Sequence, residues 1–306
     1  MVTLLQNLFA GVIALLVFVP AAAADELGSA SPVMRAAPAS NLSADDIARR
    51  NRNVILGGGL LIGWYGATHW WNAGLTGDFH TVNEGWFGPD TYAGGADKMG
   101  HLYFGYTGTR LLARSFEGLG NDPDHALWLG AVTTLGTLVA IETIDGYSKK
   151  WHFSNEDMVM NVAGTGLGIL FERSPTLDRL LDFRLMYRPS STARQQGSID
   201  PIGDYSGQTY LLVLKAAAIP GLRKYRPLRY LELAGGYGTR GFETSGALAS
   251  PRVRHTYLGI SLNLSEILDD TLFSDSMDSR ARRITGTMLK FIQVPGTAVA
   301  LKDHSF

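Results

Sequence analysis

The sequence contains no cysteine among its 306 residues. Disulfides, zinc–thiolate sites and thiol nucleophiles are therefore excluded, and none of these residues can carry a cysteine-linked lipid. Charged side chains are also scarce, at 18% of the residues, and the formal net charge is −1. Because nucleic-acid-binding proteins usually present a strongly basic face, this balance excludes nucleic acid as an expected partner.

A long apolar run stands at the amino terminus, in "LLQNLFAGVIALLVFVPAAAADE". Ala22 and Ala24 suit the −3 and −1 positions of a signal-peptidase site, so residues 1–24 are predicted to be a signal peptide. No Lys or Arg precedes the run, which leaves an uncleaved anchor as the alternative. Residues 25–42, rich in Ala, Ser and Pro, are predicted to be a flexible linker. We therefore expect an exported envelope protein, periplasmic or associated with the outer membrane after cleavage.

Residues 43–183 are predicted to form a bundle of about four helices. The first begins at the capping residue Ser43 and contains an uncharged stretch, 53–71, just long enough to span a bilayer, which needs about 20 residues. The other three are expected at about 98–116, 124–145 and 154–172. The uncharged runs of the last two are short for independent spans, so a compact exported bundle and a membrane-embedded bundle both stay open.

The remainder of the chain shows a different periodicity. Polar and apolar residues alternate in "YLLVLKAAAI", "RYLELAGGYGT" and "RHTYLGISLNL", which predicts three or four antiparallel strands within 184–270. Residues 271–306 are predicted to form a terminal amphipathic helix and a tail. The predicted fold class is therefore α+β, with a helical bundle core followed by a small antiparallel sheet and a terminal helix.

Polar residues occur inside three of the predicted helices at spacings of three or four, which place side chains on one helix face. Because unpaired acids and bases in an apolar bundle cost several kcal/mol each, we predict that they meet in one cluster. Converging carboxylates, lysine and histidine are also the condition for acid–base chemistry. The candidate catalytic residues are Asp97, Lys98, His101, Glu142, Asp145, Asp157 and Asn161.

A catalytic interpretation assigns the roles as follows. His101 or Asp157 would be the acid–base group, Lys98 would hold an anionic group, and Glu142 and Asp145 would orient the base or bind a metal. The candidates for substrate binding are Glu84, Trp86 and Tyr92, in a loop at 76–96, together with Ser154. The structural interpretation is that Asp97 caps its helix and Asp157 lies in a solvated first turn.

Several blocks of the sequence resemble a known bacterial family. "EGWFGPDTYAGGADKMGH", "IETIDG" and "FSNEDMVMNVAGTGLG" are similar to the YfiM-type predicted periplasmic lipoproteins, a domain of unknown function, with likeness over about 80–265. The order D-K-x-x-H, then E, then D-x-x-x-N-x-x-G also resembles the VanZ-like membrane proteins. That likeness implies that the motif positions are Asp97, Lys98, His101, Glu142, Asp157, Asn161 and Gly164.

The sequence thus predicts a structural or interaction protein of the periplasm or outer membrane. One alternative is a hydrolase or transferase acting on an envelope lipid or cell-wall intermediate through the polar cluster. Another is a lipid-binding module with an apolar cavity. A membrane surface or an envelope lipid is the expected partner, and no motif indicates a cofactor or an oligomeric state.

Overall fold

The computed structural model describes residues 42–197, 200–242, 251–274 and 279–306. The predicted signal peptide and, apart from Leu42, the predicted linker lie outside these residues. The helices are α1 (Ala44–Tyr65), α2 (Ala96–Gly118), α3 (Pro123–Gly146), α4 (Asn155–Arg173), α5 (Pro175–Leu180), α6 (Ser191–Gln196), α7 (Pro220–Arg223), α8 (Arg226–Arg229), α9 (Leu264–Thr271) and α10 (Arg280–Phe291). The strands are β1 (Thr81–Val82), β2 (Phe153–Ser154), β3 (Leu181–Tyr187), β4 (Gln208–Lys215), β5 (Leu231–Arg240), β6 (Val253–Leu262) and β7 (Ala298–Ser305).

The chain divides into two compact units. The helical unit contains residues 42–85 and Phe104–Glu172, and the sheet unit contains Trp86–Tyr103 and the described part of Arg173–Phe306. The helix α2 begins in the sheet unit and continues into the helical unit at Phe104. The α+β fold class predicted from the sequence is confirmed.

The long helices begin where the sequence supplies capping side chains. The Ser43 hydroxyl accepts a hydrogen bond from the backbone N–H of Asp46 at the start of α1. The carboxylate of Asp122 accepts from two N–H groups at the start of α3, where Pro123 occupies the first turn. These caps satisfy donors that have no partner inside the helix, so each helix begins within two residues of its predicted start.

The helices α1 and α3 run parallel, because contacts join their starts and also their ends. At the start, the side-chain amides of Asn51 and Asn121 exchange two hydrogen bonds of 2.8 Å. At the end, the indole N–H of Trp71 donates to Asp145 Oδ1 at 2.6 Å. From Asn51 to Trp71 the chain continues from α1 through a π-helical turn, Gly66–Trp70, and these residues together span about 30 Å.

Glycines bring the α2 segment of the helical unit close to both α3 and α4. A Cβ placed on Gly130 of α3 would lie 2.5 Å from the backbone nitrogen of Ala113. A Cβ placed on Gly168 of α4 would lie 2.9 Å from the carbonyl oxygen of Tyr106. The buried guanidinium of Arg110 lies between these helices and donates to Glu172 Oε1 at 2.6 Å. The interior of this unit therefore combines small residues with paired polar groups.

The sheet unit contains a five-stranded antiparallel meander in the order β3-β4-β5-β6-β7. The sequence predicted its three central strands, whereas β3 and β7 were not predicted. The segment after α10 covers the β3 edge, where the N–H of Gln293 donates to the carbonyl of Leu185 at 3.0 Å. The strand β7 forms the other edge and is exposed from Val299 to Ser305.

One face of this sheet buries an ion network beside a small apolar cluster of Leu211, Val213 and Ala234. The guanidinium of Arg184 donates to both carboxylate oxygens of Glu232, at 2.8 and 2.9 Å, and to Asp182 at 2.5 Å. Lys215 pairs with Asp182 at 2.7 Å, and the hydroxyl of Ser261 donates to Glu232. Burial raises the pKa of Asp182, but the charges of Lys215 and Arg184 outweigh it, and the net pKa is lowered. Asp182 is therefore ionised and paired at neutral pH.

Candidate functional site

The loop before α2 positions the first group of predicted site residues through three consecutive left-handed residues. Ala93, Gly94 and Gly95 have φ angles of 48°, 61° and 88°. A side chain at Gly95 would also collide with the Phe87 ring, because its Cβ would lie 2.4 Å from Cδ1. The chain thus turns sharply into α2 and places Asp97 in the first helical turn.

Asp97 is the centre of a group that we call the Asp97 group, comprising the buried Asp97 and Lys98 and the half-buried His101 and Tyr205. Lys98 Nζ lies 2.9 Å from Asp97 Oδ2, and the Tyr205 hydroxyl donates to Asp97 Oδ1 at 2.6 Å. His101 Nε2 lies 3.7 Å from the same Oδ1. Both carboxylate oxygens therefore have donors within hydrogen-bond distance, and His101 is close enough for an ion pair.

The electrostatics of this group favour a permanent anion at Asp97. Burial of the carboxyl raises its pKa, but the charges of His101 and Lys98 and the hydrogen bonds from Tyr205 and Lys98 outweigh burial. The pKa of Asp97 is lowered to about 2. Burial and the Asp97 charge raise the pKa of Tyr205 well above its usual range, so its hydroxyl stays a neutral donor.

This lowered pKa predicts acid sensitivity of the sheet unit. A carboxyl whose folded pKa lies below its usual 3.8 stabilises the fold above about pH 4 and loses that contribution as the pH falls towards 2. We expect a loss of about 2 kcal/mol over this interval, measured as hydrogen-exchange protection of β4 amides. The control is Asp97→Asn, in which the protection of these amides should fall less steeply as the pH is lowered. An equally steep fall in the two proteins would contradict the prediction.

Aromatic residues surround the Asp97 group within the sheet unit. The rings of Tyr92 and Tyr205 meet edge to face with centroids 5.8 Å apart. The hydroxyl of Tyr210 donates to Gln208 Oε1 at 2.7 Å, and the Gln208 amide donates to the Pro201 and Ile202 carbonyls. Tyr92, predicted to bind substrate, thus packs on Tyr205, while Trp86 of the same loop is exposed.

The second group of predicted residues lies in the helical unit, around the start of α4. The hydroxyl of Ser154 accepts a hydrogen bond from the backbone N–H of Asp157 at 3.3 Å, so Ser154 caps α4. The backbone N–H of Ser154 points to Glu142 Oε2 at 3.4 Å. Glu142, Asp157 and Asn161 are all buried, so the predicted solvated first turn at Asp157 is wrong.

Asp145 and Glu84 occupy other positions. Asp145, the last acid of α3, accepts the indole hydrogen bond of Trp71, which fixes the end of α1. Glu84 is half-buried in the helical unit, whereas Trp86 and Tyr92 belong to the sheet unit. The assignment of Glu84, Trp86, Tyr92 and Ser154 to substrate binding stays a prediction.

Within the sheet unit the structure brings together Asp97, Lys98 and His101, and within the helical unit it brings together Glu142, Ser154 and Asp157. The single cluster predicted from helical spacing stays a prediction. Two members were missed by sequence reasoning, namely Tyr205 and Glu156. Tyr205 lies 108 positions from Asp97, and no local pattern connects them. Glu156 is buried, and its Oε2 accepts a hydrogen bond from the Ser154 hydroxyl at 3.3 Å.

Comparison with known families gives one match. Residues 83–173 match a family described as predicted periplasmic lipoprotein (DUF2279). The matched residues include every candidate catalytic residue, whereas Tyr205 and the five-stranded sheet lie outside them. No curated protein and no solved structure matches the chain. The match fits an exported protein of the cell envelope, in a family whose description gives no activity.

Proposed function

We propose that the protein is a structural or interaction component of the cell envelope, at the periplasm or the outer membrane, and that the Asp97 group stabilises its fold. The observation that supports this function most directly is the state of Asp97, a residue only 4% exposed whose carboxylate accepts hydrogen bonds at both oxygens. A YfiM-type or VanZ-like identity stays a prediction from the sequence.

The chemistry of the Asp97 group supports a structural role. A catalytic acid or base works best with a pKa near the working pH, and a carboxyl of pKa about 2 is an anion at neutral pH. Lys98 is fully buried beside it, so its ammonium group already faces a carboxylate. In this role the group joins the start of α2 to Tyr205, which lies directly before β4.

Tyr205→Phe tests this function by removing one hydrogen bond to an ionised carboxylate. We expect the sheet unit to lose about 1.5–3 kcal/mol of stability, because a buried charged acceptor is left with one donor fewer. The measurement is hydrogen-exchange protection of β4 amides, with Tyr225→Phe as the matched control, since Tyr225 is an exposed tyrosine of the same unit. Equal protection in the two variants would contradict a structural role.

A hydrolase or transferase acting on an envelope lipid or cell-wall intermediate is the second candidate, and one observation favours it. The side chain of His101 is 19% exposed, and the Asp97 carboxylate lies within 4 Å of its ring. A carboxylate behind a histidine is the arrangement that orients a general base. Turnover of labelled envelope extracts that disappears in His101→Gln, with the fold retained, would support this candidate over the structural one.

A further inference from the structure

The exposed faces of three helices in the helical unit contain no charged side chain over long stretches. Within 126–141 the exposed residues of α3 are Trp128, Val132, Gly136 and Ala140, at intervals of four along one face. Within 158–171 those of α4 are Val159, Val162, Ala163, Gly166 and Leu170. Within 55–64 those of α1 are Ile55, Leu56, Gly59, Leu60, Gly63 and Trp64. Helices that face water normally show polar residues there, so these faces are suited to an apolar environment.

The degree of exposure distinguishes these helices from the core helices of a water-soluble protein. Leu60 is 76% exposed and Val132 is 66% exposed. Among the described residues, α3 is the one helix long and apolar enough to cross a membrane, and 28% of its most apolar stretch is buried. A core helix of this composition would be mostly buried.

The helices that carry these apolar faces are long enough to cross a bilayer, since α1, α3 and α4 contain 22, 24 and 19 residues. The helices α1 and α3 run parallel between the Asn51–Asn121 contact and the Trp71–Asp145 contact. That separation of about 30 Å equals the thickness of the hydrocarbon core of a typical bilayer.

At both ends of these apolar helix faces lie residues of the types that favour a membrane interface. At the start of α1 lie Arg49 and Arg52, both exposed, and at the opposite end lie Trp70, Trp71 and Trp151. The Trp151 indole donates to the Trp70 carbonyl at 2.9 Å, so these tryptophans form one group. Tryptophan is enriched where the hydrocarbon meets the headgroups, and arginine reaches the polar side of the same boundary.

We infer that the helical unit is embedded in a lipid bilayer, with the exposed faces of α1, α3 and α4 in contact with acyl chains. The glycines that bring the helix backbones together fit this environment, because small residues allow close packing of helices in lipid. The inference extends the proposed envelope function by naming a partner. It is tested at residues outside the Asp97 group, so each proposal can fail without the other.

The absence of cysteine from the 306 residues makes a direct experiment possible. Single cysteines are introduced as Leu60→Cys, Val132→Cys and Val162→Cys, one on each exposed face, with Ala48→Cys in the first turns of α1 as the exposed control. The full chain is reconstituted into phospholipid vesicles. Each thiol is treated with a charged maleimide and, in a separate sample, labelled with bimane in vesicles whose acyl chains are brominated.

Embedding predicts that thiols at the three face positions react with the charged maleimide about tenfold or more slowly than the thiol of Ala48→Cys. The reactive form of a thiol is the thiolate, which forms in water and not among acyl chains. It also predicts that brominated chains quench bimane at the three face positions and leave Ala48→Cys unquenched. Maleimide rates equal to the control would overturn the inference. Slow reaction without quenching would also overturn it, because a second copy or another protein would then cover the faces.

Discussion

Replacing Arg184 with methionine is expected to lower the free energy of unfolding of the sheet unit by about 3–5 kcal/mol. Arg184, Glu232 and Asp182 are 4%, 2% and 1% exposed, so none of the three is accessible to water. Methionine fills much of the same volume but leaves Glu232 without its bidentate partner. The cost arises from a buried carboxylate that has lost its countercharge.

The experiment compares Arg184→Met with two further variants. Arg223→Met is the control, since Arg223 is exposed, and a surface change of this kind should stay within about 0.5 kcal/mol. The double variant Arg184→Met with Glu232→Met should be more stable than Arg184→Met, because both buried charges of the pair are then absent. If denaturant titration gives Arg184→Met and Arg223→Met the same midpoint, the network does not stabilise the sheet.

The second large effect is expected from Gly130→Ala in α3. The added Cβ would lie 2.5 Å from the backbone nitrogen of Ala113 and 3.0 Å from the carbonyl oxygen of Thr109. Backbone atoms of α2 cannot rotate away, so the two helices must separate. Overpacking of this kind typically costs about 1–3 kcal/mol.

Gly136→Ala provides the matched control in the same helix. No atom lies within 4 Å of a Cβ at Gly136, and alanine favours a helix over glycine by about 1 kcal/mol. The same chemical change should therefore lower the melting temperature at Gly130 and raise it at Gly136, as measured by circular dichroism. The pair Gly168→Ala and Gly166→Ala repeats the comparison in α4, since Gly168 contacts α2 and Gly166 faces open space. If both substitutions of a pair shift the melting temperature in the same direction, the close packing of α2 against that helix would be contradicted.

The long helices were predictable because their signals are local. A capping serine or aspartate stands before α1, α3 and α4, and long uncharged periodic stretches follow. The strand β3, "LDFRLMY", was missed because Asp182 and Arg184 point into the buried network, which reverses the usual apolar-inward pattern. The strand β7 was missed because it is an edge strand exposed almost throughout, so burial imposes no alternation on its sequence.

The same distinction between local and distant signals applies to the candidate site. Spacing along one helix identified Asp97 and His101 as neighbours, and the structure places them 3.7 Å apart. Tyr205 donates a hydrogen bond to the Asp97 carboxylate from a different part of the chain. The two residues are 108 positions apart, so no helix or strand spacing in the sequence connects them. The apolar side chains of β6, such as Leu258 and Ile260, are exposed because the opposite face buries Ser261 beside Glu232. Alternation predicted the two faces but did not determine which one is buried.

The most direct measurement of the proposed function is a double-mutant cycle between Asp97→Asn and Tyr205→Phe, followed by hydrogen exchange of the sheet unit. A structural Asp97 group predicts that each single change destabilises the unit and that the pair is coupled by about 1.5–3 kcal/mol, so the double variant is less destabilised than the sum. If Asp97→Asn leaves the protection unchanged and the two changes simply add, the carboxylate does not stabilise the fold, and the structural role proposed for it is wrong.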